Sequence, residues 1–523
     1  MPEIEIRERF FSRLFVFFSA LFAFALTTSF FLISIACFGL LFTWLFSPGF
    51  KERLLVLFKS PWALFFVLLI LLHMAYLPKG DDSSFALSDL RIKFPLLLVP
   101  VVFSSTPRLI RNEMYLVLYA FLAGSIIACV TGFMLYLGWM ETAFIDTRQM
   151  GFFVSHVRLA ILLSMGFVIS LWLFLSHSQN GARFFSLLCA LFIFCYLLLM
   201  QSPTVWLMLM WTGGIAIYRK ITPNKKKVLL AGMFILLLGG IIGFDFLMKQ
   251  YERKYFSASE STTLPNQFLT TGGHLYDHEL IEDFAENGHM VGWYRCSHEY
   301  EKAWSIRSKI PINGRDAKGQ HIRFTMLRYV TSKGLTKDSV GIYALSNADI
   351  KSIEEGITNA SFTQYDGLRY RLYQLAYEWM NFRKGGNPSG HSVVMRIFFW
   401  ECAFHIIREY PLLGTGMGNI NHAYADTYTK IKSPLALPYR LRAHNQWITF
   451  CVCFGLPLGI LISGMMFYSF FAMHKLPLLF VICWGMCLLS FFSEDTLESS
   501  VGASMCAFAA MFFYYRLPQQ QSR

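Results

Sequence analysis

Long apolar runs fill the first and last parts of this chain, and one long polar stretch separates them. Most runs are close to the ~20 residues that a helix needs to cross a bilayer. The chain is 55% hydrophobic and 15% charged, which favours a polytopic membrane protein over a soluble one. We therefore predict an all-α polytopic membrane fold with about twelve transmembrane helices. The predicted spans lie near 10–26, 28–47, 61–77, 94–106, 114–138, 157–176, 184–201, 203–218, 228–248, 446–472, 476–493 and 498–515.

The polar stretch divides the chain into three predicted parts. We expect an N-terminal membrane domain of about nine helices at 1–248, a large loop domain at 249–445 and a C-terminal membrane domain of about three helices at 446–523. Lys and Arg are concentrated in segments on the same side as the N-terminus. The positive-inside rule then predicts that both termini are cytoplasmic and that the loop is outside. Amphipathic periodicity indicates that the loop is mostly helical. One predicted helix lies in DGLRYRLYQLAYEWMNFRKGG and ends at Gly385 and Gly386, and a second lies in SVVMRIFFWECAFHIIREYP, where Ser392 can cap the start and Pro411 ends it.

Composition also limits the partners that we expect. The net charge of +13 partly reflects the inside bias, and no basic stripe with interleaved aromatics points to nucleic acid. Nine of the eleven cysteines lie in apolar spans, so they do not form a disulfide framework. His274 and His278 are four residues apart and could share a helix face, but HExxH is missing. We predict neither a metal nor a cofactor.

The stretch YRLRAHNQW places polar residues directly before the apolar run that begins at 446. Arginine binds phosphate as a bidentate fork, and a histidine can accept or donate a proton near neutral pH. Arg440, Arg442, His444 and Asn445 could therefore bind the phosphate headgroup of a lipid-linked substrate. Alternatively, the arginines anchor the helix at the interface, while His444 and Asn445 cap it. Spacing alone favours neither interpretation.

Cations in unusual places are further candidates. Arg396 shares a helix face with Trp400 and with apolar residues, where a charge is costly unless it has a function. Arg158, Lys93 and Arg91 lie in short outside segments, against the positive-inside rule.

The stretch PLLGTGMGN follows the helix that carries Arg396. Its glycines, with Gly416 and Gly418 among them, could present backbone N–H groups to phosphate, or could simply end the helix.

PLLGTGMGN, followed by RAHNQWITFCVCFGLPLGILI, resembles the O-antigen ligase and polymerase superfamily. The layout of many spans with one large loop before the last helices is similar as well. Other stretches resemble the ligase-like branch of that superfamily, namely LRIKFPLLLVPVVF, SHVRLAILLSM, RFTMLRYVTSKGLTKDSVG, GNPSGHSVVMRIFFWECAF and SEDTLESSVG. The resemblance implies a GT-C-like glycosyltransferase in the bacterial inner membrane that needs no metal, with its large loop in the periplasm. Its donor would be an undecaprenyl-diphosphate-linked glycan, and its acceptor the lipid A core.

The resemblance also implies roles for individual residues. His444 matches the family's essential histidine and is the expected base or orienting group, with Arg396 on the donor diphosphate. Asn445 would orient the histidine or bind sugar, and Asn419 and Trp400 are expected to contact substrate. Many relatives carry an arginine where this chain has Pro203, in LMQSPTVWLML. We expect Arg158 to replace it, with Lys93 and Arg91 as the next candidates.

Several functions remain open. A ligase is the leading interpretation, and an O-antigen polymerase or a protein O-oligosaccharyltransferase of the same superfamily are alternatives. A transporter for lipid-linked glycan would show paired charges in mid-span and repeated halves, which this sequence lacks. A binding or scaffold protein would keep its function after replacement of His444.

Overall fold

The computed structural model describes residues 2–140, 151–258, 267–278, 284–363, 367–468, 470 and 476–515. The chain forms two compact units, residues 1–226 together with 395–523, and residues 227–394. The predicted loop began at 249 and ended at 445. Residues 395–445 pack with the first unit, while the predicted span at 228–248 falls in the second.

The described residues of the first unit form helices joined by turns and loops, without a strand. Its helices are α1 (Pro2–Thr28), α2 (Phe30–Phe46), α3 (Phe50–Phe58), α4 (Pro61–Ala75), α5 (Ser83–Ile92), α6 (Phe94–Ser105), α7 (Arg111–Tyr136), α8 (His156–Ser176), α9 (Asn180–Leu199), α10 (Pro203–Lys220), most of α17 (Ser392–Glu409), α18 (Ile420–Lys430), α19 (Gln446–Tyr468), α20 (Leu478–Ser490) and α21 (Ser500–Tyr515). Short 3-10 turns lie at Leu77–Lys79, Leu437–Tyr439 and Thr496–Glu498.

The second unit has its own hydrophobic core. Its elements are most of α11 (Pro223–Tyr255), the antiparallel strands β1 (Ala285–Glu286) and β2 (His289–Met290), and the helices α12 (Ser297–Arg307), α13 (Ile322–Ser332), α14 (Ser339–Tyr343), α15 (Asn347–Glu354) and α16 (Gly367–Arg383). Its core packs around Trp304, Tyr300 and Tyr373, which are fully buried. Inside this core Arg328 pairs with Glu286 at 2.6 Å, and both side chains are buried. Helices make up most of the elements of this unit, as we expected from the sequence.

The apolar helices are those of a multi-pass membrane protein, but the predicted count of about twelve spans is not confirmed. Six helices in the described residues are long and apolar enough to cross a bilayer: Ile6–Thr28, Pro61–Lys79, Arg111–Tyr136, His156–Ser176, Asn180–Leu199 and Gln446–Tyr468. A seventh would be the pair Phe30–Phe46 and Phe50–Phe58, which is bent by 111°. Several predicted spans form shorter helices. α6 has 12 residues and contains Pro100, and α20 and α21 have 13 and 16.

α21 lies at the centre of the first unit. It packs against α6, α20 and α1, and its residues from Val501 to Phe513 are buried. Its sequence SVGASMCAFAAMFFYY is apolar on all sides and rich in small residues, which allow neighbouring helices to approach closely. This packing fixes the short acidic segment just before α21, which contributes to the site.

Candidate active site

A cavity of about 590 Å³, called here the His444 cavity, lies within the first unit. It is lined by Arg158, Asn421, Tyr424, Ala425, Thr429, Leu437, Arg440, Leu441, Arg442, His444, Glu494, Asp495 and Glu498. Four of the predicted site residues, three arginines and the histidine, therefore share one cavity. Segments that are far apart in the sequence build it, from α8, α18, the residues before α19 and the residues before α21.

His444 has a strained backbone that Asp495 holds in place. Its φ of 46° lies in the left-handed region, which is unfavourable for a residue with a side chain. The Asp495 carboxylate accepts the backbone N–H groups of His444 and Asn445, each at 3.1 Å, and the Thr449 hydroxyl at 2.7 Å. Burial, and then the charge of Glu498, raise the pKa of Asp495. These bonds over-determine the position of the histidine.

Asn445 acts as the cap of α19 in this structure. Its side-chain oxygen accepts the N–H of Ile448 at 3.1 Å, and its amide donates to the Phe492 carbonyl at 3.1 Å. Asn445 is buried and does not line the His444 cavity. The capping interpretation therefore holds for its side chain.

Glu494 lies between His444 and Arg396. The Nδ1 atom of His444 is 3.9 Å from one Glu494 carboxylate oxygen, and an Arg396 guanidinium nitrogen is 3.8 Å from the other. Arg396 also donates to the Ser493 carbonyl at 3.1 Å. Arg396 thus contacts the histidine's acidic neighbour and is not itself a lining residue of the cavity.

One face of α17 positions the segment before His444. Arg396, Phe399 and Trp400 are three and four residues apart, so they lie on the same side of the helix. The Trp400 indole donates to the Ala443 carbonyl at 3.0 Å, and the Phe399 ring centroid is 5.6 Å from the His444 ring. Trp400, which we expected to contact substrate, therefore holds the backbone next to His444 in place.

Two acids and two cations meet at the floor of the site. The Lys93 ammonium is fully buried, pairs with Asp89, and lies 3.0 Å from Glu498. Arg442 is 3.4 Å from the other oxygen of Glu498. Burial alone would raise the pKa of Glu498, but the charges of Lys93 and Arg442 hold this pKa well below its usual range. Burial, and then Glu498, raise the pKa of Asp89 to about 7.

Arg158 and Arg440 keep their charges uncompensated. Arg158 donates to the Ser155 hydroxyl at 3.1 Å, and Arg440 to the Leu435 carbonyl at 2.9 Å. Among the residues that the structure describes, neither forms an ion pair. Both line the His444 cavity and can receive an anion there. Arg91 is exposed and lines neither this cavity nor the next one.

The glycine turn has a structural role in this fold. The N–H groups of Thr415 and Gly416 donate to the carbonyls of Val452 and Cys453, both at 2.9 Å. These two N–H groups are therefore engaged, so they form no phosphate nest. Gly418 packs on Gly80, where an added Cβ would come within 2.9 Å of the Gly80 Cα.

A second cavity, of about 540 Å³, adjoins this turn and is called here the Lys79 cavity. Its lining includes Lys79, Asp81 and Asn419. Asn419 accepts the N–H of Asp81 at 2.9 Å, so it joins the turn to the segment after α4. The structure thus brings Asn419 to a different cavity from His444. α18 contributes residues to both cavities, from different faces of the helix.

Sequence reasoning missed the acidic side of the site. Glu494, Asp495 and Glu498 stand in SEDTLESSVG, between two apolar helices, where carboxylates are costly unless they have partners. The cost of placing these three carboxylates between apolar helices was a signal in the sequence that could have pointed to the site. Tyr424 gave no comparable signal, because an aromatic residue on an amphipathic helix usually belongs to the core.

Within the described part of the chain, no group of three or more His, Cys, Asp or Glu side chains could hold a metal ion. His274 instead contacts Glu299 at 2.9 Å in the second unit.

The comparisons with known proteins agree with the expected resemblance. Residues 341–463 match the family model described as O-Antigen ligase. The matched segment includes α17, the glycine turn, α18, His444 and most of α19. No curated protein matches the chain. Members of the matched family are glycosyltransferase-like enzymes. The predicted resemblance is thus confirmed over residues 341–463, which are similar to the O-antigen ligase family.

Proposed function

We propose that this protein is an O-antigen ligase. It transfers glycan from an undecaprenyl-diphosphate carrier to a sugar hydroxyl of the lipid A core, at the periplasmic face of the inner membrane. One observation carries the proposal: His444 lines the same cavity as Arg158, Arg440 and Arg442, in a chain whose residues 341–463 match the O-antigen ligase family.

The reaction needs a proton acceptor and a stabilised leaving group. The acceptor hydroxyl attacks the anomeric carbon, and its proton passes to His444. The bond between that carbon and the diphosphate oxygen breaks, and the lipid diphosphate leaves with the electron pair. The Glu494 carboxylate beside Nδ1 favours a proton on that nitrogen, which leaves Nε2 to accept the proton of the hydroxyl.

Cationic side chains stabilise the leaving diphosphate in this mechanism, in the place of a metal. Arg158 and Arg440 are the best candidates, because neither forms an ion pair with a residue that the structure describes, whereas Arg442 already pairs with Glu498. Arg158 thereby takes the place of the family arginine that is replaced by Pro203. Arg396 acts through Glu494 and is a positioning residue.

The membrane arrangement is part of the proposal. We place both termini in the cytoplasm and the large loop in the periplasm. The reason is that most Lys and Arg residues between the predicted spans lie on the same side of the membrane as the N-terminus. The donor and the acceptor are both lipid-anchored, so a site at the membrane surface would meet both headgroups.

The test uses a deletion strain complemented with the wild-type chain, His444→Ala or His405→Ala. His405 is an exposed histidine of α17 that lines neither cavity, so its variant is a matched control. We expect the His444→Ala strain to resemble the deletion, with bare core on a lipopolysaccharide gel. Long glycan should then accumulate on the carrier lipid, while His405→Ala restores the wild-type ladder.

Other outcomes would contradict the proposal in distinct ways. Core that carries a single repeat in the deletion strain would indicate a polymerase. An unchanged ladder in all strains would exclude lipopolysaccharide as the product and would point to protein glycosylation. If the deletion strain shows bare core but the His444→Ala strain shows the wild-type ladder, His444 takes no part in the reaction.

A further inference from the structure

We infer that the face of α18 that lines the His444 cavity recognises an uncharged sugar ring, with the Tyr424 hydroxyl donating a hydrogen bond to a sugar oxygen. The inference rests on the proposed function and names the wall of the cavity that holds the glycan. It concerns Asn421, Tyr424, Ala425 and Thr429, which line the cavity from a single helix.

The hydroxyl of Tyr424 is the first observation behind this assignment. Tyr424 is only 3% exposed, and its hydroxyl has no hydrogen-bond partner within the part of the chain that the structure describes. Buried polar groups nearly always have partners, because a missing bond is costly. The ring lines a cavity, so a bound molecule can supply the missing acceptor.

Tyr428, one helical turn further on, provides the contrast. It is also buried, but its hydroxyl donates to the Leu441 carbonyl at 2.7 Å. Two tyrosines on the same helix therefore differ in one respect. The Tyr428 hydroxyl is bonded within the fold, whereas the hydroxyl of Tyr424, a residue that lines the cavity, has no partner among the described residues.

The chemistry of this wall fits a sugar. Asn421 and Thr429 offer neutral amide and hydroxyl groups, and the small Ala425 lies between them and leaves room for a ring. The charged residues of the cavity all come from other segments, where they suit a diphosphate and the acid–base step. The cavity thus has one uncharged wall on α18, and all of its charged residues lie on other segments.

The charge near Tyr424 also favours a sugar over a phosphate. Burial, and then the negative charge of Asp495, raise the pKa of Tyr424 well above its usual range, so the hydroxyl stays protonated and can donate. The same negative charge disfavours a phosphate at this position. A sugar hydroxyl is not repelled, because it can donate to a carboxylate while its oxygen accepts from Tyr424.

The experiment measures binding to the full chain in lipid nanodiscs. The probes are dephosphorylated core oligosaccharide, the repeat-unit oligosaccharide released from the carrier lipid, and pyrophosphate, each followed by tryptophan fluorescence. We expect Tyr424→Phe to weaken binding of one oligosaccharide by about fivefold, as for the loss of one hydrogen bond, and to leave the pyrophosphate affinity unchanged. The oligosaccharide that is affected shows whether the wall holds acceptor or donor sugar.

Tyr428→Phe is the matched control. Tyr428→Phe should lower the melting temperature without changing the affinity for any of the three probes. Tyr424→Phe should leave the melting temperature unchanged or raise it. The inference is overturned if the wild-type protein binds neither oligosaccharide, if Tyr424→Phe leaves both affinities unchanged or weakens pyrophosphate instead, or if both tyrosine variants weaken the sugar equally.

This test is separate from that of the proposed function. A wild-type chain that transfers glycan in the deletion strain, with unchanged sugar binding by Tyr424→Phe, would overturn the inference alone. A chain that binds sugar through Tyr424 but restores no lipopolysaccharide would overturn the ligase proposal alone.

Discussion

At the scale of the residue, the backbone conformation of His444 allows the effect of a substitution on catalysis to be distinguished from its effect on stability. A left-handed conformation costs a residue with a side chain ~1–2 kcal/mol, and glycine does not have this cost. Both His444→Gly and His444→Ala remove the imidazole. We expect the glycine variant to have a free energy of unfolding about 1 kcal/mol higher than that of the alanine variant.

Thermal unfolding in detergent measures that difference between the two variants. The same pair of substitutions at His405, in the interior of α17, should give the opposite order, because glycine is ~1 kcal/mol less favourable than alanine inside a helix. Equal stabilities of the two His444 variants would show that the φ of 46° causes no strain.

At the scale of the element, the buried charges join the end of α5 and the start of α6 to the turn before α21. Asp89 has a pKa of about 7 in the folded protein and an ordinary value of 3.8. The folded protein therefore keeps this proton to a higher pH than the unfolded chain. The stability that this proton contributes is present in full below pH 3.8 and is lost as the pH rises towards about 7.

Asp89→Asn tests this linkage. The amide resembles the protonated carboxyl and still can donate to Glu498, while Lys93 and Arg442 stay in place. We expect the stability of the wild type to fall relative to the variant between pH 4 and 7, with a slope that approaches ~1.4 kcal/mol per pH unit. Unfolding at a series of pH values checks this, and a constant difference across the range would contradict it.

At the scale of the whole molecule, the second unit depends on its own buried pair. Glu286→Ala leaves Arg328 buried without its counter-charge, which we expect to destabilise the unit by about 3–5 kcal/mol. Limited proteolysis should then produce new cleavages between 284 and 363. Glu355→Ala is the control. Its partner Lys351 is largely exposed, so the loss of that pair should cost less than ~1 kcal/mol.

Local signals in the sequence predicted much of this architecture. The apolar periodicity and Ser392 predicted α17, whose observed bounds are Ser392–Glu409, and the glycines at 385 and 386 marked the end of α16 at Arg383. The number of spans could not be predicted in this way. An apolar run looks the same whether it faces lipid or, like α21, lies inside the protein.

The sequence predicted the basic side of the site but not its acidic side. His444 and the arginines stood out because they precede an apolar run or violate the charge rule. The contact of His444 with Asp495 joins residues 51 positions apart, and no short-range pattern encodes it. The engaged N–H groups of the glycine turn depend on a break in α19 at Gly455, which the predicted continuous span at 446–472 did not include.

That break has a consequence for how freely the chain can vary. At Gly455 the φ is 81°, and an added Cβ would lie 2.3 Å from the Leu412 carbonyl oxygen. At Gly414 the φ is 58°, and a Cβ would lie 2.5 Å from the Cys453 backbone. Backbone packs directly on backbone here, and no neighbouring side chain can move aside to make room. A library randomised at these two positions and selected for a folded chain should therefore return glycine at both, even where all surrounding apolar residues tolerate exchange.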